Sequence, residues 1–230
     1  MRTKPTADEH SHLRPSSVSL TLMCLSALWV SAAAAQPEVF YVDAAAKPGS
    51  NGSSWFQAFN SLTDALDVAQ PQDQVWVAAG VYIPDTPAGR DATFEIPDGV
   101  EVYGGFEGDE TSVAARPSDP LANPTILAGG RPAVYSIVTV SGAGPSTVLD
   151  GVRISSGSAD STTNSIPRRN GGGIFGLNAT PTLRNIIIDR CDATQFGGGI
   201  YIVNDGTTSF ALLDNVIVST CSARNGGGAY

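Results

Sequence analysis

The last third of the chain alternates apolar and polar positions in blocks that recur. Leu149-Asp150-Gly151-Val152-Arg153-Ile154, Leu183-Arg184-Asn185-Ile186-Ile187-Ile188 and Leu213-Asp214-Asn215-Val216-Ile217-Val218 share one skeleton. It reads leucine, any residue, glycine or asparagine, then apolar, any, apolar. The leucines stand 34 and 30 residues apart. Apolar residues at every second position are the period of a strand, and most of them are β-branched, which suits a pleated surface. No segment here holds helical period over ten residues. A repeat of about 30 residues marks an architecture in which each unit buries its apolar side only by stacking on its neighbour. Short strands repeated without a crossover helix predict a parallel β-helix, with coils about 4.8 Å apart.

The polar positions of the repeat then acquire a role. Asn185, Asn215 and Gly151 sit where a strand must turn a corner, and both residue types tolerate the left-handed conformation a corner needs. Stacked asparagines also bond one another from coil to coil. A glycine triplet follows each block or precedes the next: 171–173, 197–199 and 226–228. Each triplet predicts a second corner, or a strand start where coils approach closely.

The Leu-x-Asn blocks together with Gly-Gly-Gly-Ile resemble the right-handed parallel β-helix of the pectin-lyase-like superfamily. More narrowly, they are similar to the Gly-Gly-(apolar) and Phe-x-x-Asn repeats of polymorphic outer membrane proteins, with Leu183 and Leu213 in the place of the phenylalanine. Secreted bacterial right-handed β-helix repeat proteins are also similar. The resemblance runs from Glu38 to Tyr230 and implies right-handed coils.

Upstream, the pattern is less regular. Val39 to Asp43 reads as a strand, followed by the turn-rich Lys47-Pro48-Gly49-Ser50-Asn51-Gly52-Ser53-Ser54. Leu62, Ala65, Leu66 and Ala69 share one helical face behind a capping Ser61 or Asn60, so a short amphipathic helix over Ser61 to about Ala69 is expected. It would cover the open end of the β-helix, since terminal repeats need a cap. Many secreted β-helix proteins open with a similar Asp-x-Ala…Gly-Ser-Ser-Trp…Leu-x-x-Ala-Leu segment. Trp55 and Phe59 are read as core at this cap rather than as a sugar-stacking platform. Further strands are expected over Gln74–Tyr82, Phe94–Ile96, Val100–Phe106, Thr125–Leu127 and Ser136–Val140, with Pro97-Asp98-Gly99 as a turn. Glu107 to Pro124 is polar and proline-bearing, and reads as a loop running over the surface. The expected organisation is a leader over 1–35, an N-terminal strand and cap helix over 36–73, and β-helix coils over 74–230. The coils are regular from 149, and the last, Asn225 to Tyr230, opens without being completed. The fold class is all-β: a single-stranded, right-handed parallel β-helix with a short N-terminal capping helix.

Composition enters through the leader. Arg2, Lys4 and Arg14 precede the apolar run Val18–Val30, and four alanines, Ala32 to Ala35, precede Gln36-Pro37. A basic start, an apolar centre and a small-residue exit read as a secretory signal peptide cleaved after Ala35. Cys24 lies in the apolar run without the flanks of a lipidated cysteine. The leader contains both histidines, His10 and His12, three of 13 basic residues and two of 22 acidic ones. The mature chain therefore has no histidine and ten basic against twenty acidic residues, a net charge of −10. An acidic exported chain is a poor partner for nucleic acid or anionic lipid. Without histidine, and with two cysteines left, His-dependent triads and Cys/His zinc sites are excluded. The glycine triplets lack the helix and lysine of a phosphate loop.

The enzyme chemistry open to such a surface is cleavage of polysaccharide. It needs two or three converging carboxylates, as an acid–base pair or a Ca²⁺ site, with an Arg or Lys at the sugar carbon. In register, Ser155, Asp189 and Ser219 share one outward position, and Arg153, Ile187 and Ile217 another. Asp189-Arg190 is thus an acid–base pair without stacked acidic partners. Asp150, Arg184 and Asp214 line up beside the asparagine corner as a surface ion ladder of small energetic weight. Paired Asp and Gly-His-Gly motifs of β-helix hydrolases are missing from the sequence. Cys191 and Cys221 fall one coil apart, so a disulfide and a stacked thiol pair both stay open.

Two function classes follow. The preferred one is a secreted or cell-surface β-helix protein, outer membrane included, with a structural, adhesive or carbohydrate-binding role and a polysaccharide or host-surface glycan as partner. The other is a polysaccharide lyase or glycoside hydrolase of the pectin-lyase-like type. No residue is assigned a catalytic, cofactor-binding or metal-binding role. No cofactor is expected, with Ca²⁺ entering only under the lyase reading.

Overall fold

The asparagine and glycine corners dictate the architecture. The structure, a computed structural model, describes residues 36–84, 87–117, 119, 122–163, 165–204 and 210–230, so the leader expected over 1–35 lies outside the described residues. Among the described residues fifteen strands and one α-helix follow in order: β1 (Val39–Val42), α1 (Leu62–Val68), β2 (Gln74–Ala78), β3 (Gly80–Tyr82), β4 (Phe94–Glu95), β5 (Glu101–Phe106), β6 (Thr125–Ala128), β7 (Val138–Thr139), β8 (Val148–Asp150), β9 (Val152–Ser155), β10 (Ser158–Ala159), β11 (Ile174–Leu177), β12 (Thr182–Asp189), β13 (Asp192–Ala193), β14 (Ile200–Val203) and β15 (Leu212–Ser219). Every strand pairing is parallel.

One long sheet curls at the corner. Its first arm runs β1-β2-β5-β8 and on to the first half of β12; its second runs β3-β6-β9 and on to the second half of β12. β12 and β15 pass through both arms, bending at Asn185 (φ 49°) and Asn215 (φ 52°), and Gly151 (φ 75°) makes the same bend between β8 and β9. A third face is built from β4, β7, β11 and β14. The chain is therefore an all-β parallel solenoid.

Inward side chains stack in columns along the coils. Phe40, Val75, Val102, Leu149, Leu183 and Leu213 occupy one register position. Tyr82, Leu127, Ile154, Ile188 and Val218 form the second column. Phe94, Val138, Ile174 and Ile200 form the third. Full burial of such a side chain contributes about 1.5–3 kcal/mol. Leu183, with a coil on each side, is 0 % exposed, whereas the equivalent Leu213 of β15 is 46 % exposed. The same motif is thus buried only as far as its neighbours cover it.

The glycine triplets serve both expected purposes. Gly171, Gly197 and Gly226 turn the chain at φ 65°, 56° and 58°. The third glycine of each of the first two triplets sits where coils touch: a Cβ at Gly173 would lie 2.5 Å from the Gly199 carbonyl oxygen, and one at Gly199 2.6 Å from that of Gly228.

At the first coil, α1 is capped by Ser61, whose Oγ accepts from the Asp64 N–H (3.4 Å), and buries Leu62, Ala65 and Leu66 against β1, β2 and β4. Buried Asp73 ties the two ends of this unit, accepting from the N–H groups of Glu38 and Gln70 (2.8 Å each). The segment from Glu107 to Pro124 is the expected surface loop, mostly exposed among its described residues, but it is tied down at two points. Its buried Glu110 carboxylate accepts from the N–H groups of Glu107, Gly108 and Asp109 (2.8, 3.0 and 3.2 Å), and Arg116 turns back onto the sheet. Arg116 donates to the Gly104 carbonyl (2.7 Å) and lies over the Tyr103 and Phe106 rings.

The corner is testable. Asn185 Nδ2 donates to Asp150 Oδ1 (3.0 Å) and Asn215 Nδ2 to Asn185 Oδ1 (2.9 Å). Asn185→Ala removes both bonds and places a Cβ residue without local polar support at positive φ. The expected loss is about 2 kcal/mol in thermal unfolding followed by circular dichroism. Asn185→Gly, which keeps the backbone free, is expected to lose about half of that.

Candidate functional site

The acid–base residues singled out in the sequence meet on the second arm of the sheet. β9 and β12 set Arg153 beside Ile187 and Ser155 beside Asp189, and β15 adds Ile217 and Ser219 at the same two levels. Arg153 donates through its Nη2 to Asp189 Oδ2, while the Arg190 guanidinium lies 3.8 Å from Asp189 Oδ1 and donates to Ser155 Oγ (2.8 Å). Arg190 reaches this position because it turns the second corner of its coil at φ 53°, a left-handed conformation shared by Ser156 (70°) and Thr220 (51°). Thr220 Oγ1 accepts from the Arg190 N–H (3.1 Å), which ties that corner to the next coil.

Asp189 is buried. Burial pushes its carboxyl up, but the hydrogen bonds from Arg153 and Ser155, with the charges of Arg153 and Arg190, outweigh it and hold the group below the usual aspartate range. An aspartate so held stays ionised and engaged with arginine. Its Oδ2 is taken by Arg153, and its Oδ1 is buried from solvent, 3.8 Å from the Arg190 guanidinium. One carboxylate surrounded by two guanidinium groups and a hydroxyl fastens adjacent coils together; it does not form the converging carboxylate set that glycoside cleavage or calcium binding requires. Among the described residues no three of His, Cys, Asp and Glu are grouped so as to hold a metal ion.

The second candidate set divides differently from the sequence expectation. The register places Arg184 between Asp150 and Asp214. The salt bridge of Asp150 is nevertheless made by Arg116, at 3.6 Å, with both side chains largely buried. The expected alternating ion ladder is replaced by a continuous polar column, Asn215 to Asn185 to Asp150 to Arg116. Arg116 was invisible to repeat analysis because it lies in the insertion, outside the period. Its sequence signal is only a lone arginine among acidic and proline residues.

Cys191 and Cys221 are free thiols. Cys191 is buried and donates to the Asp189 carbonyl (3.3 Å); half-buried Cys221 donates to the Ser219 carbonyl (3.3 Å). Hydrogen bonding between the two thiols raises Cys191, with burial adding to it. The same bond lowers Cys221 to about 7, against the opposing effect of burial. On the third face, Phe175, Tyr201 and Tyr230 stack in a ladder with centroid spacings of 5.6 and 5.7 Å and rings within 12° of parallel. The faces of Tyr201 are taken up by its two neighbours, while Tyr230 stays 57 % exposed. Trp55, expected as core, packs on Tyr41 and Phe106 and donates its Nε1–H to the Glu110 carbonyl (2.9 Å); Phe59 packs against the core beside Phe40.

A curled, all-parallel sheet wound in asparagine-cornered coils, some of them joined by arginine–aspartate pairs, defines the class: a parallel β-solenoid. The chain belongs to the family described as "Protein of unknown function (DUF1565)", whose model matches residues 45–228. No curated protein and no solved structure matches the chain.

Two measurements test this geometry. Because the Asp189 carboxyl is lowered on folding, its contribution is present above the unfolded aspartate value of about 3.9. It fades as pH falls through the lower folded value. Asp189→Asn is expected to cost about 1–3 kcal/mol near pH 7, discounted because Arg153 is partly exposed, and to flatten the acid limb of stability in chemical denaturation. In the reduced protein, a maleimide is expected to label Cys221 at a rate that rises through about pH 7, while Cys191 stays unlabelled until the protein unfolds. Peptide mass mapping reads both rates.

Proposed function

We propose that this chain is an exported, right-handed parallel β-helix of the pectin-lyase-like type that serves at the cell surface or outside the cell as a structural, adhesive or carbohydrate-binding scaffold. The observation that carries the non-catalytic reading is the engagement of Asp189: its carboxylate binds Arg153 from the neighbouring coil, with Arg190 alongside. A lyase or glycosidase keeps its acid and base free toward the groove and within reach of each other. Right-handed winding is supported by the strong preference of parallel strands in one sheet for right-handed connections. Export is supported by the basic, apolar and small-residue segments before Gln36. No helix among the described residues is long and apolar enough to cross a membrane. The acidic mature chain favours uncharged or cationic partners over nucleic acid, and a glycan fits that requirement.

The test uses the mature protein on a panel of uronate and neutral polysaccharides. Absorbance of unsaturated products reports lyase action, with calcium and with chelator, and release of reducing ends reports hydrolysis. A glycan array read in parallel reports binding. The expected result is no product from either assay and binding to at least one glycan class. Calcium-dependent unsaturated product would overturn the scaffold reading in favour of the polysaccharide lyase.

A further inference from the structure

The loop between β1 and α1 borders an open cleft of about 610 Å³ whose lining includes Asp43, Lys47, Asn51, Trp55, Phe56 and Gln57. That volume is in the range of sites for small organic ligands.

The walls are set by backbone hydrogen bonds. The Tyr41 N–H donates to Gly52 O (2.9 Å), the Gly52 N–H to Gln57 O (2.8 Å) and the Asp43 N–H to Phe59 O (2.9 Å). Gly52 turns at φ 72° directly against the Phe59 ring, where no Cβ fits. Ser54 caps the tight turn Trp55–Gln57, its Oγ accepting from the Gln57 N–H (3.3 Å). Trp55 at one side of that turn is drawn inward by Tyr41, Phe106 and the Glu110 carbonyl, and Ala58 after it is buried. Those two anchors send the intervening Phe56 outward, and its side chain is 94 % exposed.

The polar groups around the ring are half used. Asn51 Oδ1 accepts from Ser53 N–H (3.2 Å) and Ser53 Oγ–H (2.8 Å), Gln57 Oε1 from Ser53 Oγ–H (3.3 Å), and Asp43 Oδ1 from Ala45 N–H (2.8 Å). The single Ser53 hydroxyl hydrogen serves the two amide oxygens in turn, drawing Asn51 and Gln57 together. These bonds leave the amide N–H groups of Asn51 and Gln57, the second carboxylate oxygen of Asp43 and the Lys47 ammonium without a protein partner among the described residues. An outward phenyl face beside amide donors and a carboxylate acceptor suits a saccharide. The C–H face of a sugar ring covers the phenyl, and its hydroxyls donate to carboxylate and accept from amide.

We infer that this cap-loop cleft is a binding site for a short oligosaccharide, with Phe56 as the stacking platform and Asn51, Gln57 and Asp43 as hydroxyl partners. The inference rests on the carbohydrate-binding reading above and gives it an address. Lys47 decides between sugar classes: a uronate would pair with its ammonium, a neutral sugar would not need it.

The experiment titrates the mature protein with cellohexaose, chitohexaose and hexagalacturonate by isothermal calorimetry and saturation-transfer NMR. At least one probe is expected to bind with Kd at or below about 1 mM. Phe56→Ala is expected to weaken it at least tenfold, and Asn51→Ala severalfold. Thermal unfolding of the Phe56 variant is expected to match the wild type, since the ring makes no packing contact to lose. Phe210→Ala, which removes another exposed ring (83 %) from the last coil, is the control and should leave Kd unchanged. Lys47→Ala separates the sources, weakening hexagalacturonate and sparing the neutral probes. Binding that survives Phe56→Ala and Asn51→Ala overturns the cleft while leaving the carbohydrate-binding reading intact. Failure of all three probes also overturns it, and the glycan array then decides the broader reading separately.

Discussion

Everything in this solenoid depends on the register between coils, and the register is held at the corners. A parallel strand pair carries no turn of its own to fix its alignment, and a slip by one residue would carry every inward side chain to solvent. The column Asn215–Asn185–Asp150 prevents that slip. Each side-chain amide bonds the residue at the same corner one coil away, so only one alignment satisfies them. Left-handed backbone at 185, 215 and 151 makes the bend, and the bend sends β12 and β15 into both arms of the sheet. With the corners aligned, the leucine and isoleucine columns fall into place and Leu183 is sealed from water.

The polar column has a terminus, and the insertion supplies it. A column of amides that simply stopped at Asp150 would bury a carboxylate with an unsatisfied charge, which is costly. Arg116 meets it from the 107–124 segment while also bonding Gly104 and covering two aromatic rings. The segment itself is folded around Glu110, whose carboxyl is pushed up by burial and brought down further by the backbone N–H groups it accepts. An irregular insertion is thereby made part of the sheet's corner. The Arg153–Asp189 bond does comparable work at the next outward position of the second arm.

How much of this was legible in the sequence follows from which residues are periodic. The leucine columns, the asparagine corners and the glycine contacts recur, so three copies of a short pattern were enough to place them in register. The cap helix was legible because Ser61 and the Leu62, Ala65, Leu66 spacing are local signals. The partner of Asp150 was not legible. Arg184 is its neighbour in register, yet Arg116 comes from a loop that belongs to no repeat and closes on it through tertiary packing. The left-handed corners at Ser156, Arg190 and Thr220 were equally hidden, because serine, arginine and threonine carry none of the preference that asparagine and glycine announce. Phe56 was passed over for a related reason. Between Trp55 and Phe59 it reads as one more aromatic of the cap, and only the turn, anchored on both sides, shows that it faces solvent.

These differences bear on where activity can reside in such a fold. The coils are built from similar units, and some of their charged groups pair across coils; a group committed to that task is held in one geometry. Asp189 is the example: the interactions that make it a good fastening make it a poor base. Residues free of this commitment lie where the repeat is interrupted. At the cap, the backbone is rigid because Gly52, Ser54 and Trp55 are tied down, while Phe56 and the outer halves of Asn51, Gln57 and Asp43 are left without partners. A rigid backbone loses little entropy on binding, while each free side chain that a ligand immobilises costs about 0.5–1.5 kcal/mol. In this solenoid the side chains left free of coil-to-coil pairing are found at the capping loop, and there the division of labour between cohesion and exposed polar groups is most complete.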